Sequence, residues 1–366
     1  MLTEPCDELR QVLSHYDLGE LIGAERDRRG TVNVSYSVET VKDGRPGQYF
    51  LRCYRPGITL DEIRFEHSLI EHLVDNGVCP VARLHRTRSG STFYVQSPRA
   101  NESMTHYYAI FDFIHGEDRY TWVDPHCTPH ELRRAGELLA AYHAAVSTLV
   151  CNGKRVEKKI VDLLEEVARA WDESPARSKG TVFDRFLAEN FELVRRNIAE
   201  TRAALDRLDV RSLPELVIHC DFHPGNLVFA GEEISGLVDF DWSKVDLRAF
   251  DVALAVWYFS ASWEGTDNGV LRLDDAHKLL EAYQQALLIP SACAPLSPRE
   301  LTDLPDLISA ANLYVLYWSL RDFFGKDVNP EEYLVYLKHG VACIRWFGQA
   351  ANLRGLSSVL AGLPRP

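Results

Sequence analysis

The 366-residue chain has no C-x-x-C pair among its eight cysteines, and none of them clusters with histidines at a zinc-finger spacing. That argues against a zinc ribbon or a disulfide framework. It predicts a reduced protein whose cysteines serve mostly as small core hydrophobes. No stretch of about 18 uncharged apolar residues occurs, so no membrane span is expected. The opening MLTEPCDELR carries acids and no apolar run, so no signal peptide is read there and a cytoplasmic location is expected. Basic residues are in deficit, 40 against 53 acidic ones, for a formal charge of -13. Nucleic acid is therefore not expected as a main partner, because binding a phosphate backbone depends on Lys and Arg neutralising its charge. Internal repeats, low-complexity blocks and disordered linkers are absent as well. What is present is the ordinary profile of a globular protein, 46% hydrophobic and 25% charged. The length suits two domains or one large two-lobed unit.

The first third reads as strands and turns. TVNVSYSVET alternates β-formers over residues 31–40, KDGRPGQ supplies a turn, and YFLRCY follows as a second strand from Tyr49, which together predict a hairpin. From Thr59 to Gly77, Ile63, Leu69, Ile70 and Leu73 recur near helical spacing, acids sit in the first turn and a glycine closes the segment. RTRSGSTFYVQ predicts another hairpin about Ser89 and Gly90, and HYYAIFDFI, residues 106–114, is an aromatic β-run stopping at His115 and Gly116. A sheet of four or five strands with one helix after the third is expected. From Thr128 onward the pattern is helical: PHELRRAGELLAAYHAAVSTLV, then roughly 155–172, 181–207, 246–261, 272–287, 298–324 and 330–351. A β-rich island interrupts the helices at 216–240. The fold class is α+β, with a small β-rich lobe over 1–111, a hinge at 112–117 and a larger, mostly helical lobe over 118–366.

Two polar groups stand in the island. His219-Cys220-Asp221-Phe222-His223-Pro224-Gly225-Asn226 fits H-x-D-x-x-x-x-N, and Asp239-Phe240-Asp241 ends an apolar strand 13 residues past Asn226. Phosphoryl transfer needs such a gathering of oxygens, because its loose transition state requires positioning and charge neutralisation more than covalent help. One carboxylate must orient the attacking hydroxyl, a task that suits Asp221. Hard oxygen ligands must hold Mg²⁺ against ATP phosphates, which suits Asn226 and Asp239. Alone, H-x-D is a chance match and an aspartate at a strand end is commonly a turn or cap residue. Both in this order, with strands between and helices after, point to kinase chemistry.

VIHCDFHPGNLVF and GLVDFDWSKVDLRAFDVA resemble the catalytic loop and metal-binding segment of the aminoglycoside phosphotransferase and choline kinase-like superfamily, and the resemblance runs from about residue 17 to 345. It implies a bilobal protein-kinase-like fold that uses ATP and Mg²⁺. By this resemblance Asp221 is the catalytic carboxylate, Asn226 and Asp239 are magnesium ligands, Asp251 supports the catalytic loop, and His219 braces it. Residues 31–37 become the hairpin over the nucleotide, with Gly30 and Asn33 at its bend. No G-x-G-x-x-G is present, which departs from protein kinases. The strand YFLRCYRP carries Arg52 where the family places a phosphate-binding lysine, and Glu66, 14 residues on, is its ion-pair partner. An arginine keeps the charge and binds phosphate bidentately, though its reach differs from that of lysine. The plainer alternative makes Arg52 and Glu66 surface charges with unrelated partners. The backbone of Asp112 and Ile114, at the hinge, is the expected adenine contact.

His67 and Glu71-His72 invite a zinc-protease reading, but rings five residues apart differ by about 140° around a helix and share no face. The cluster His219, Cys220, Asp221 and His223 is likewise read as kinase loop and not as a transition-metal site. The aromatics Trp242, Trp257, Tyr258, Trp263, Tyr314, Tyr317 and Trp318 fit a helical core. Their faces could also hold an ammonium group, with Asp241, Glu264 and Asp322 adding charge. The acceptor expected from the resemblance is a small-molecule alcohol, cationic or zwitterionic, such as homoserine, choline or ethanolamine. NVSYSV resembles the homoserine kinase-like branch. YRPGITLDEIRFEH resembles bacterial stress-response kinases that phosphorylate Ser or Thr in proteins, so a protein kinase is the rival reading. A nucleotide-binding pseudokinase scaffold is the rival outside catalysis.

Overall fold

The structure, a computed structural model, describes residues 6–27, 32–77, 80–98, 104–208, 212–289 and 292–365. Its contacts divide the chain into a first unit of residues 1–117, 149–155 and 235–238, and a second of 118–148, 156–234 and 239–366.

The first unit opens on a helix that the sequence pattern did not announce, α1 (Cys6–Ser14), followed by β1 (Glu20–Asp27), β2 (Val34–Lys42), β3 (Arg45–Cys53), α2 (Leu60–Asn76), β4 (Leu84–His85), β5 (Tyr94–Gln96) and β6 (His106–Asp112). The strands form a six-stranded sheet in the order β1-β2-β3-β6-β4, with β5 also on β6. The expected hairpin is β2–β3, but its turn is only Asp43 and Gly44, both at positive φ (50° and 73°), as a two-residue turn demands. Strand β3 therefore begins at Arg45, not Tyr49. Pro46 and Gly47 are tolerated in the ladder because β6 pairs with β3 only from Tyr49 onward. The hairpin expected about Ser89 and Gly90 is a correction too. A turn does form there, with the Thr87 N–H donating to the Ser91 carbonyl at 2.8 Å, but β4 and β5 each pair with β6 and not with one another.

Strand alternation gives the sheet two faces. Tyr36, Val38, Leu51, Tyr108 and Ile110 pack under α1 with Leu9, Val12 and Leu13. The next residues along, Arg52 and its ladder partner Ala109, face the other way, toward α2. Helix α2 has the expected limits: Thr59 and Glu62 form a capping box, and Gly77 closes it at φ 64°. The segment 149–155 straps across α2. The Lys154 N–H donates to the Asp61 carbonyl at 3.1 Å and the Asn152 N–H to Ser68 Oγ at 3.0 Å. Gly153 lies so close, at φ 102°, that a Cβ there would stand 2.2 Å from the Asp61 carbonyl oxygen.

The second unit is mostly helical: α3 (Pro129–Val146), α4 (Ile160–Glu173), α5 (Val182–Arg207), then β7 (Glu215–Ile218), β8 (Leu227–Ala230), β9 (Glu233–Leu237, ending in the first unit) and β10 (Lys244–Leu247), then α6 (Arg248–Ser260), α7 (Leu273–Leu288), α8 (Pro298–Gly325), α9 (Pro330–Phe347) and α10 (Ala350–Ala361). Thr128 with Glu131, Thr181 with Asp184, and Ser297 with Glu300 close capping boxes at α3, α5 and α8, so each start is written locally in the sequence. Every residue of α6 is buried, which makes it the axis of this unit. Strand β10, unannounced by the sequence pattern, pairs antiparallel with β7. No described helix is long and apolar enough to cross a membrane.

Candidate active site

The loop 219–226 leaves β7 and is held from beneath by α6. In the first turn of that helix, Asp251 accepts the backbone N–H of His219 (2.9 Å) and of Cys220 (2.8 Å). It also accepts from His143 Nε2 at 3.0 Å. Burial keeps His143 below its ordinary pKa and so neutral. With Nε2 donating, its Nδ1 accepts from the Tyr283 hydroxyl at 2.8 Å. Asp251, His143 and His219 are fully buried. This latch holds Cys220 at φ 66°, a left-handed conformation that costs a non-glycine residue about 1–2 kcal/mol. The His219 ring wedges among Tyr142, Phe222 and Phe240 at centroid distances of 6.0, 6.1 and 5.0 Å. Asp239, after β9, is likewise left-handed, at φ 65°.

Asp221 is gripped at both carboxylate oxygens. Oδ1 accepts from the Tyr258 hydroxyl at 3.1 Å, and Oδ2 from Asn226 Nδ2 at 3.0 Å. The same Asn226 nitrogen donates to the Asp221 backbone carbonyl at 2.9 Å. His223 Nε2 lies 3.5 Å from Oδ2, and its Nδ1 accepts from the Gly225 N–H at 3.0 Å, which leaves Nε2 as the proton-bearing side toward the carboxylate. Burial pushes the Asp221 pKa up, but the imidazoles of His223 and His219 and the Tyr258 hydroxyl outweigh it, and the carboxyl sits below its ordinary value. Asp221 is thus an ionised, oriented acceptor. Because the Asn226 amide nitrogen is spent on Asp221, its carbonyl oxygen is turned away from that carboxylate. That oxygen and the Asp239 carboxylate are both hard donors, the chemistry Mg²⁺ takes.

In the first unit Arg52 Nη1 and Glu66 Oε1 meet at 2.9 Å, both side chains mostly buried. They are not unrelated surface charges. A second guanidinium, Arg155 on the 149–155 strap, stands 3.9 Å from both Glu66 and Glu62. His67 is a buried core residue between Tyr54 (2.8 Å) and Thr92 (2.7 Å), and burial drives its pKa down to about 3. Asn33 Oδ1 accepts the Arg55 N–H at 2.8 Å, whereas Gly30 and Thr31 lie outside the described residues. The Asp112 N–H donates to the Arg83 carbonyl at 2.9 Å and its carboxylate meets His85 at 2.7 Å, so an adenine contact from this residue's backbone would fall to its carbonyl oxygen. Ile114 lies just past the end of β6.

The aromatics fall into two groups. Trp257, Tyr258 and Trp263 pack with Trp122, Tyr336 and His339, while Trp242, Tyr314 and Tyr317 gather about Trp318. Of the acids named with them, Glu264 faces His126 at 3.3 Å and Asp322 pairs with Lys326 at 2.8 Å. Sequence reasoning missed the Tyr258 grip on Asp221, the His143–Tyr283 brace and Arg155. Nothing local marks contacts made across such separations. Tyr258→Phe is expected to lower kcat about tenfold, the worth of one charge-assisted hydrogen bond, with the KM for nucleotide unchanged. Steady-state kinetics check it, and an unaltered kcat would show that the grip is dispensable.

A sequence profile described as "Phosphotransferase enzyme family" matches residues 24–296. A homoserine kinase of Parvibaculum lavamentivorans is 29% identical over 360 residues, covering 94% of this chain and 97% of that protein. Among solved structures, a microcompartment-associated aminopropanol kinase superposes with a TM-score of 0.65 at 18% identity, covering 96% of this chain and 98% of the other. An amicoumacin kinase in complex with AMP-PNP, Ca²⁺ and Ami gives 0.67 at 14% identity over 93% of each chain. These likenesses show a protein-kinase-like fold with an antiparallel β unit and a mostly helical unit.

Proposed function

We propose, since this chain belongs to the phosphotransferase enzyme family, that it moves the γ-phosphoryl group of ATP to the hydroxyl of a small amino alcohol or hydroxy amino acid. Membership makes it a small-molecule phosphotransferase; the donor, the metal and the acceptor are the proposal. The observation that carries it is Asp221, ionised and held at both oxygens on a loop latched by Asp251. Each carboxylate oxygen has two lone pairs, so Tyr258 and Asn226 leave room for the acceptor hydroxyl. Asp221 orients that hydroxyl and takes its proton as the new bond to the γ-phosphorus forms and the bond from that phosphorus to the β,γ-bridging oxygen breaks, with ADP as the leaving group. The Asn226 carbonyl and the Asp239 carboxylate would hold Mg²⁺, which when bound neutralises charge on the ATP phosphates. Arg52, steadied by Glu66, is assigned to a nucleotide phosphate, which a guanidinium fork fits. Asn33, the Asp112 carbonyl and the backbone of Ile114 are the further nucleotide-side candidates. The relative named for homoserine and the structural neighbour named for aminopropanol support an acceptor that carries an amine and a hydroxyl.

The test is ADP release with ATP and Mg²⁺ across L-homoserine, hydroxylysine, 3-aminopropan-1-ol, ethanolamine, choline, an aminoglycoside and a generic protein, with Asp221→Ala as the blank. Release that depends on one small alcohol and vanishes in the blank is expected. Release only with protein, or self-labelling, would replace the reading by a Ser/Thr protein kinase. Nucleotide binding without any turnover would replace it by a pseudokinase.

A further inference from the structure

In its last turns α8 presents Tyr314, Tyr317, Trp318 and Arg321, a spacing that sets all four on one face of the helix. That face is tied to the catalytic segments. The Tyr314 hydroxyl lies 3.4 Å from Sγ of Cys220, the residue before Asp221. Trp242, three residues past Asp239, sets its ring 4.5 Å from that of Trp318. Two polar groups on this face are unspent among the described residues. The exposed Arg321 guanidinium lies 3.8 Å over the Trp318 ring and has no carboxylate in ion-pair range. The nearby acids are engaged elsewhere, Asp322 with Lys326, and Glu166 with Lys158 and the Tyr317 hydroxyl. The indole N–H of Trp318 is a buried donor with no hydrogen-bond partner.

A guanidinium held 3.8 Å over an indole is pre-organised, so less freedom remains to be lost when its fork meets a planar anion. A buried indole N–H without an acceptor costs stability until an acceptor arrives. We infer that Arg321 and the Trp318 N–H together receive the carboxylate of the acceptor, so that the substrate is a hydroxy amino acid and not a plain amino alcohol. This deepens the proposed function and rests on it. An amino alcohol without the carboxylate leaves both donors unsatisfied, and sites built to bond a polar group discriminate strongly against analogues that lack it.

L-Homoserine and 3-aminopropan-1-ol form the matched pair for the test, since they share the hydroxyl, the amine and the spacing and differ only in carboxylate against hydrogen. With the full chain, kcat/KM for L-homoserine is expected to exceed that for 3-aminopropan-1-ol by more than about tenfold. Arg321→Gln should raise the KM for L-homoserine about 10- to 100-fold, the acceptor-side loss of a charged hydrogen-bond pair, while shifting 3-aminopropan-1-ol less than about threefold and leaving the KM for ATP unmoved. Arg321→Lys should recover part of the loss. Trp318→Phe, which keeps a ring and removes the N–H, should raise the homoserine KM selectively. Equal effects on both acceptors, no effect on either, or a wild-type preference for 3-aminopropan-1-ol would overturn the inference. If the only alcohols that support ADP release lack a carboxylate, the inference falls while the kinase reading stands. If no alcohol supports release, both fall.

Discussion

Asp221→Asn is expected to lower kcat by about 10²- to 10⁴-fold, the range lost with a positioned proton acceptor, while ATP binds within about threefold of its normal affinity. The substitution keeps the shape of the side chain. An amide turned with its oxygen toward Asn226 still accepts from that donor, and its nitrogen can donate to the Tyr258 hydroxyl, so both grips survive in altered form. What disappears is the negative charge that draws the acceptor hydroxyl and its proton. The measurement is single-turnover phosphoryl transfer paired with nucleotide titration. The split between the two readouts decides the matter, because a variant that merely unfolded would lose both. Near-normal turnover would remove Asp221 from the chemistry.

Asp251→Ala carries the largest expected effect on stability. The carboxylate is fully buried and satisfies three donors: two consecutive loop amides and the His143 imidazole. Truncation leaves those donors buried without an acceptor, and such losses run to about 3–5 kcal/mol. The urea midpoint of the helical unit should fall accordingly, and the His219 and Cys220 amides should lose protection against hydrogen exchange. Asp251→Asn should cost less, since one oxygen remains, although its NH₂ then faces a donor. Activity should drop with stability, because Cys220 is kept left-handed by this latch and its neighbour Asp221 is aimed by it. Unchanged exchange at the two amides would refute the latch. Asp221→Asn, which keeps the side chain's shape and both hydrogen-bonded neighbours, should move the urea midpoint far less, so the two variants separate orientation of the loop from its chemistry.

The contrast between these residues follows the range over which sequence acts. Helix α2 could be read because its signals are local: a capping Thr59, a Glu62 three residues on, apolar residues near helical spacing and a closing Gly77. The H-x-D-x-x-x-x-N spacing could be read for the same reason, since a five-residue step lets Asn226 fold back onto Asp221. Two-residue alternation in β3 puts Arg52 on the face opposite Leu51, and a helix following that strand brings Glu66 within 2.9 Å. The hairpin about Ser89 could not be resolved, because a turn signal says where the chain reverses and not which strand it then joins. Asp112 is a similar case: that its N–H goes to the Arg83 carbonyl is set by how the chain before β4 lies beside β6, which no local pattern states.

The sequence by itself determined the helices with their own caps, the order of a β-rich segment before a helical one, and the residue types able to do phosphoryl chemistry. Those properties depend on neighbours a few positions apart, where backbone geometry sets the distance. The tertiary structure alone decided that Tyr258 grips Asp221 from 37 residues away, that His143 braces Asp251 from 108 away, that Arg155 returns on a strap to Glu66, and that the Arg321 guanidinium lies over the Trp318 ring. Each of these contacts joins residues placed by packing, and packing is a property of the whole folded chain that no local spacing encodes.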